Sequence, residues 1–229
     1  MIVKQVAPGA KTAGLLAYLY GPGVGEARGG TVHVNPRTVA SWDGQPSIHS
    51  PKHLDSGRRS ISDLARRLDA PVALVTKAPA KHVGHIVVAN HPDDPVLTDA
   101  QRQRIAADVM RRAGLSKGPL DPDAVRWIAV RHDDTSIHIA YTKVRESGRP
   151  AGYTNYTRAW ESMRHEWEDR LGLAPTGKAD GTARRSYGQA ESARAKAQQH
   201  AGNTDARPDT AELRHLCRVI AMEVRNTDT

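Results

Sequence analysis

The sequence predicts an α+β fold: a central, mainly antiparallel sheet with helices packed on one of its faces. Three observations carry that expectation. First, Trp127–Tyr141 holds two β-branched apolar runs separated by the polar segment His132-Asp133-Asp134-Thr135. That is the pattern of two antiparallel strands joined by a tight connection. Second, strand-like segments outnumber the helices that could serve as parallel crossovers, and a hairpin sits at the centre of the chain. Third, two long segments, 98–113 and 155–171, repeat apolar residues at helical spacing.

In chain order, residues 1–7 read as a first strand that Pro8-Gly9 breaks. Thr12 is placed to cap a short helix over 13–20, which Gly21-Pro22-Gly23 stops. Leu15, Leu16 and Leu19 share one face of it, with Tyr18 on the edge. Residues 21–60 are rich in Gly, Pro, Ser and His; they contain a candidate strand, Thr31–Asn35, then Trp42, and loop is expected over 41–60. Ser62–Asp69 reads as a short capped helix and Pro71–Thr76 as a strand. His82–Asn90 is a better strand by its β-branched content, with His85 on the face of Val83 and Val87.

Thr98-x-x-Gln101 is a capping box. Ile105, Ala106, Val109, Met110 and Ala113 form the stripe behind it, and Gly114 is a natural stop. After the hairpin, whose second strand runs to about Val144, a polar turn leads to a helix from about Asn155 to Leu171. Its Tyr156, Trp160, Met163, Trp167 and Leu171 form a core stripe rather than a base-stacking platform. Composition shifts after Gly172. Residues 1–173 therefore read as the main domain, and 174–229 as a basic, polar linker or tail with one exposed helix, Ala190–Gln199, and a terminal helix over Thr210–Val224.

The 229 residues carry 33 Lys+Arg against 25 Asp+Glu, a formal charge of +8. With a pI near 9.8, that excess points to a polyanionic partner, most often nucleic acid. Cys217 is the only cysteine, which excludes a disulfide framework and a cysteine zinc site and suits a reducing, cytoplasmic setting. No stretch approaches the roughly 18–20 apolar residues of a membrane span, and the N-terminus lacks a signal-peptide apolar region. Membrane insertion is not expected.

The hairpin holds the chemistry. His132 ends its first strand and His138 lies two residues into the second. Period two puts Ser136, His138 and Ala140 on one face and Ile137, Ile139 and Tyr141 on the other. Two imidazoles thus meet at one end of the hairpin beside two carboxylates. Such a set suits a catalytic divalent metal or a proton relay; the plain alternative is a surface hairpin with a polar turn. Tyr18 either points its hydroxyl toward a groove or packs half-buried, and Tyr20 is the second candidate.

These residues resemble a known family. Leu16-Ala17-Tyr18-Leu19-Tyr20-Gly21-Pro22-Gly23 is similar to the N-terminal signature of actinobacterial relaxase/mobilisation nucleases of the MOBP-like kind, within the HUH endonuclease class. His33–Asp43 is similar to the segment that follows it there. His85-Ile86-Val87-Val88, then Leu97–Gln101, looks like the family's next strand and helix start. Arg131-His132-x-Asp134-x-Ser136-Ile137-His138-Ile139 resembles the three-histidine motif. The match runs in order over residues 1 to about 173.

The resemblance implies a palm-like sheet that nicks one DNA strand at the transfer origin of a plasmid or mobile element. By position, Tyr18 is the nucleophile that becomes joined to the 5′ end. His132 and His138 are ligands of a divalent metal, Mg²⁺ or Mn²⁺, and His85 is a third ligand or a base behind them. Asp134 matches the motif's acid, which orients a histidine. Arg131 and Lys143 are candidate DNA contacts. Implied partners are single-stranded origin DNA, accessory relaxosome proteins and a coupling protein. No Walker-type loop is present, in keeping with a phosphotyrosine link that preserves the phosphodiester energy.

One departure stands out. Ser136 occupies the place of the first histidine of the family's His-x-His pair, and a hydroxyl is a poor ligand for a transition metal. Three expectations follow: a metal-dependent DNA nickase, a relaxase-like origin binder with weak or lost nicking, or a basic structural protein whose histidines merely pack.

Overall fold

The elements run β1 (Ile2–Gly9), α1 (Thr12–Tyr20), β2 (Arg37–Ser41), a 3₁₀ turn (Pro46–His49), α2 (Ser62–Ala73), β3 (Val83–Ala89), α3 (Asp99–Arg112), β4 (Val125–Arg131), β5 (Ser136–Arg145) and α4 (Thr157–Leu171). This is a computed structural model that describes residues 1–21, 33, 35–52, 54, 60–119, 121–152 and 156–175. The chain divides into two units, Met1–Thr176 and Gly177–Thr229. The helices expected over Ala190–Gln199 and Thr210–Val224, the basic tail, and most of the candidate strand Thr31–Asn35 lie outside the described residues.

The five strands form one antiparallel sheet in the order β1-β3-β5-β4-β2. The expected hairpin is its centre: β4 pairs with β5, with Val130 opposite His138, while on the other side Val87 of β3 faces His138. Period two then sorts the side chains. Ile86, Val88, Ala129, Ile137, Ile139 and Tyr141 meet Ile105, Val109, Met110, Trp160, Met163 and Trp167 of α3 and α4. Ile128, Val130 and Ala140 meet Leu16, Leu19, Leu64 and Leu68 of α1 and α2. The helices thus divide between both faces, not one. The cause lies in β4 and β5, which are buried on both sides. Small residues such as Ala140 and Thr142 let α1 and α2 approach a face that reads as polar in the sequence.

Three elements differ from the sequence pattern. Pro71–Thr76 is not a strand, because α2 continues through Pro71 to Ala73. Proline lacks the N–H that would bond the carbonyl four residues back, and that carbonyl, of Arg67, accepts instead from Arg126 Nη1 at 2.6 Å. Thr12 opens α1 without capping it; its hydroxyl donates to Asp69 Oδ1 at 2.5 Å and ties α1 to α2. Residues Arg37–Ser41 form the edge strand β2, and Pro46–His49 a 3₁₀ turn, within a stretch expected to be mostly loop. By contrast, α3 starts with both hydrogen bonds of the capping box, and α4 ends at Gly172 in the left-handed region, φ 62°.

Glycine is required at position 84. A Cβ there would lie 2.1 Å from the Tyr141 ring. Tyr141 sits opposite Gly84 in the ladder and fills its place, with its hydroxyl accepting from Gln5 Nε2 at 3.0 Å.

Candidate functional site

The α1/α2 face does not stay apolar along its length. Toward the turn of the β4–β5 hairpin, the row Ile128-Val130 ends in His132, and the row Ala140-His138 runs beside it. Each row is one face of a strand at period two. His85 of β3 stands opposite Ala140, diagonal to His138. Across these rings lies α1. Its buried Leu16, Leu19 and Tyr20 fasten it to the sheet and leave Tyr18 45% exposed on the outer side.

The rings come together. Tyr18 lies 5.3 Å from His33, 5.6 Å from His132 and 6.2 Å from His138, centroid to centroid. His33 and His132 are 3.6 Å apart, and His132 and His138 stack at 4.2 Å. His85 stands behind His138, with Nε2 3.0 Å from His138 Nδ1. All of His33, His132 and His138 are buried.

The turn that sets His132 and His138 is built from its own polar groups. The Asp133 carboxylate accepts from the backbone N–H of Thr135 at 2.8 Å, the Thr135 hydroxyl at 3.0 Å and the N–H of Ser136 at 2.6 Å, an Asx-type turn. Its other oxygen lies 3.7 Å from His132 Nδ1, a charge contact longer than a hydrogen bond. The turn carbonyls point the other way, into Arg102 of α3. That guanidinium is 2% exposed and donates to the carbonyls of Leu97 (3.0 Å), Asp133 (3.3 Å), Ser136 (3.2 Å) and Asp134. Burial lowers its pKa first, and Arg131 adds to that.

Burial also sets the protonation of the imidazoles. Desolvation first, then the His132 ring, holds His85 down to about 4. Desolvation, then His132 and His85, holds His138 down to about 3. His33 is lowered by burial and by His132. Asp133 is pushed well below the usual carboxylate range, chiefly by the His132 imidazole and then, against its partial burial, by the turn N–H groups. At neutral pH His33, His85 and His138 are therefore neutral imidazoles beside the Asp133 carboxylate.

Hydrogen bonds assign the ring nitrogens. His33 Nδ1 lies 2.9 Å from the Gly21 carbonyl; a carbonyl only accepts, so Nδ1 donates and Nε2 keeps its lone pair. His132 Nδ1 faces Asp133, and its Nε2 is buried without a partner among the described residues. The chemistry of this donor set suits a divalent transition ion, and the orphaned His132 Nε2 supplies a reason for one. As placed, the rings lie against one another. Among the described residues, no group of three or more His, Cys, Asp or Glu side chains is arranged as a formed metal centre.

Comparison of the chain with known protein families, curated proteins and solved structures gives no match. The site therefore rests on its own geometry.

Tyr18, His85, His132 and His138, named from the sequence, come together here. Asp134 stands apart: its carboxylate is 55% exposed and pairs with Arg131, and the acid beside His132 is its neighbour Asp133. Arg131 is thereby engaged within the turn, also donating to the Asp133 carbonyl at 3.3 Å. Lys143 lies about 17 Å further along β5 at a rise of about 3.4 Å per residue, and its odd position puts it on the other face. Tyr20 is buried in the core, its hydroxyl 2.5 Å from Thr38 Oγ1. Ser136 is buried on the face of His138. His33 and Arg102 were missed. His33 lies in one of the stretches that resemble the family but has no periodicity to mark it, and Arg102 looks like any arginine on a helix. Beside His85 opens a groove of about 410 Å³ lined by Ala7, Ala10, Lys11, Leu15 and Val83.

Among the described residues, no helix is long and apolar enough to cross a membrane.

Proposed function

We propose that this protein is a relaxase-type nuclease that nicks one strand of DNA at a transfer origin, with Tyr18 as nucleophile. One observation carries the reading: a half-exposed tyrosine stands 5.3–6.2 Å from three buried imidazoles that the chain brings from two distant segments, His33 from before β2 and His132 and His138 from the β4–β5 hairpin. A packing tyrosine needs no such company. The chain's charge of +8 favours a polyanionic substrate, and Lys11 lines the groove beside His85.

The reaction is a transesterification. The Tyr18 phenol oxygen forms a bond to the scissile phosphorus and the P–O3′ bond breaks. The products are a 5′-phosphotyrosine and a free 3′-hydroxyl, so the proton lost by the phenol is matched by the one the 3′-oxygen gains. Tyr18 is exposed enough to give its proton to solvent. The buried Leu16 and Leu19 hold α1 so that the phenol faces the cluster. Asp133 and Arg102 hold the turn that carries His132 and His138. His85 fixes the His138 ring through Nδ1. When bound at these imidazoles, a divalent ion such as Mn²⁺ or Mg²⁺ would supply positive charge to the phosphate oxygens and favour the phenolate.

A second reading has an observation of its own. Ser136 stands where the motif has a histidine, so an origin-binding protein with weak or lost nicking is the alternative. A covalent-adduct assay separates them. The protein is incubated with single-stranded oligonucleotides tiling the candidate origin, with Mn²⁺ or with chelator, and resolved on a denaturing gel. A metal-dependent adduct mapped to Tyr18 and missing from Tyr18→Phe supports nicking. Specific binding without an adduct favours the second reading, and no DNA binding at low salt removes both.

A further inference from the structure

We propose that the half of the sheet formed by β1 and β3, on the side of the imidazoles, seats an unpaired DNA strand, with Lys4 and Lys11 as its phosphate contacts. This inference rests on the DNA-nicking reading above and names the part of the molecule that holds the substrate. α1 and α2 cover only part of that side. Their Leu16, Leu19, Leu64 and Leu68 pack on Ile128, Val130 and Ala140 of β4 and β5, and among the described residues no side chain of β1 or β3 belongs to that core. The cross-strand register continues the face outward. His138 lies opposite Val87 and Val87 opposite Lys4; Ala140 lies opposite His85 and His85 opposite Val6; Ala89 lies opposite Ile2. Along β1 this face therefore presents Ile2, Lys4 and Val6. Ile2 is 56% exposed, Lys4 is exposed, and Val6 and Val87 are half-buried.

The charge of this half is one-sided. Residues 1–25 and 70–92, which supply β1, α1 and β3, hold Lys4, Lys11, Lys77 and Lys81 and no Asp or Glu, in a chain with 25 acidic residues. Asp69 of α2 reaches the start of α1, where the Thr12 hydroxyl engages it at 2.5 Å and His82 at 3.4 Å. Elsewhere on the sheet the arginines are paired: Arg37 with Asp99, Arg126 with Glu146 and Arg131 with Asp134. Lys4 and Lys11 have no ion-pair partner among the described residues. Their charge is available to a polyanion.

The floor between the lysines is apolar, and that selects the kind of nucleic acid. A duplex keeps its base faces stacked inside and offers only phosphates here. An unpaired strand can lay its bases on Ile2, Val6 and Val87 while its phosphates meet the lysines. The seat is also continuous with the chemistry. Lys4 stands two strands from His138, about 10 Å across the sheet. Lys11 shares a groove with Leu15, Val83 and His85, and Tyr18 follows Leu15 by three residues, on the same side of α1. A strand held by Lys4 and Lys11 therefore runs beside the exposed phenol.

The test is fluorescence anisotropy of the full chain with a labelled oligothymidylate strand and a labelled duplex of equal length, in chelator, over a range of salt. The variants are Lys4→Gln, Lys11→Gln, the two together, Ile2→Glu, and Lys117→Gln in the exposed turn after α3 as a charge control. The slope of log affinity against log salt should become shallower by about 0.7 for each lysine lost, which is about fivefold weaker binding at about 0.1 M salt. Ile2→Glu should weaken binding, Lys117→Gln should match wild type, and the duplex should bind less tightly than the single strand. Unchanged slopes in both lysine variants, or an equal change in Lys117→Gln, overturn the inference; if the Tyr18 adduct still forms, the nuclease reading stands without it. Lysine-dependent binding with no adduct upholds the seat and removes the nicking. A duplex bound as tightly as the single strand overturns the assignment to an unpaired strand, and wild type that binds neither probe overturns both readings. Sedimentation of the free protein covers the other occupant open to an edge strand: a dimer that Ile2→Glu dissolves gives this face to a second copy and overturns the inference.

Discussion

On the face that carries α3 and α4, β3 and β5 present Ile86, Val88, Ile137, Ile139 and Tyr141 to two helices lined with Ile105, Val109, Trp160, Met163 and Trp167. One residue along in register, the same two strands present His85 and His138 to the opposite side, where β4 adds His132 and α1 brings Tyr18. The first face gains stability from nearly everything it buries, at about 1.5–3 kcal/mol per large apolar side chain. The second buries imidazoles, which cost free energy to desolvate and must be held by neighbours. Stability and chemistry are thus separated by the pleat of one sheet, so changes on one side should leave the other measurably intact.

The largest effect expected from that separation is functional. Tyr18→Phe removes the phenol oxygen proposed as nucleophile and nothing from the core. Covalent adduct formation should disappear altogether, while the urea midpoint stays within about 0.5 kcal/mol of wild type, as for other exposed substitutions. An equally large loss of stability would mean that Tyr18 is a packing residue and the two faces are not distinct.

Acid should reach the histidine face first. His138 and His85 are held down to about 3 and about 4, against about 6.5 in an unfolded chain. Above pH 6.5 both states leave these rings neutral and the contribution is complete. As pH falls below 6.5, the unfolded chain takes up protons that the folded chain refuses, so stability falls by at most about 1.4 kcal/mol per pH unit for each ring. The loss levels off once pH passes the folded values. The groups facing these rings are His33 and His132, which oppose protonation, and Asp133, which favours it. Urea midpoints at pH 7.5 and 5.0 check this, and equal stability at both would show that the rings are not held neutral.

On the opposite face, Trp160→Ala should cost about 3–5 kcal/mol, the range for removing a large buried aromatic. Trp160 is 5% exposed, and its Nε1 donates to the Val109 carbonyl at 3.2 Å, joining α4 to α3. Adduct yield per folded molecule should be unchanged at a temperature where the variant stays folded. A drop in that ratio would reveal coupling through the sheet that the separation does not allow.

What the sequence made legible follows the same division. The α3/α4 face was readable because it is written in period: the capping box at Thr98, the stripe of α4 and the alternation of β5 each announce themselves within a few residues. The α1/α2 face depends on contacts between distant segments. The freed carbonyl of Arg67, satisfied by Arg126 some sixty residues on, is what lets α2 run through Pro71, and no local pattern records it. The edge strand β2 finds its partner β4 about ninety residues away. Within the site, the hairpin named His132 and His138 outright. The choice between Asp133 and Asp134 turned on a single position in the turn, where Asp133 folds back on the N–H groups and Asp134 turns out to Arg131. His33 arrives from a stretch without periodicity.

Arg102 joins the two faces and gives the sharpest test of their separation. It stands on α3, among the residues of the structural side, yet its guanidinium reaches through to the carbonyls of Asp133, Asp134 and Ser136, in the turn between His132 and His138. Arg102→Met keeps the length and apolar stem of the side chain but removes the donor these carbonyls share, while the Asp133 carbonyl keeps Arg131 and the Ser136 carbonyl keeps the His132 N–H. Against that loss stands relief from burying a cation, so the net cost should be modest, about 2–3 kcal/mol. The functional cost should exceed what stability explains. Without the clamp the turn loosens, and the two imidazoles at its ends lose their fixed spacing from Tyr18. Adduct yield per folded molecule should therefore fall for Arg102→Met and hold for Trp160→Ala, although the tryptophan variant is the less stable of the two. Should both variants keep full yield per folded molecule, Asp133 alone sets the turn, and Arg102 belongs wholly to the face on which its helix lies.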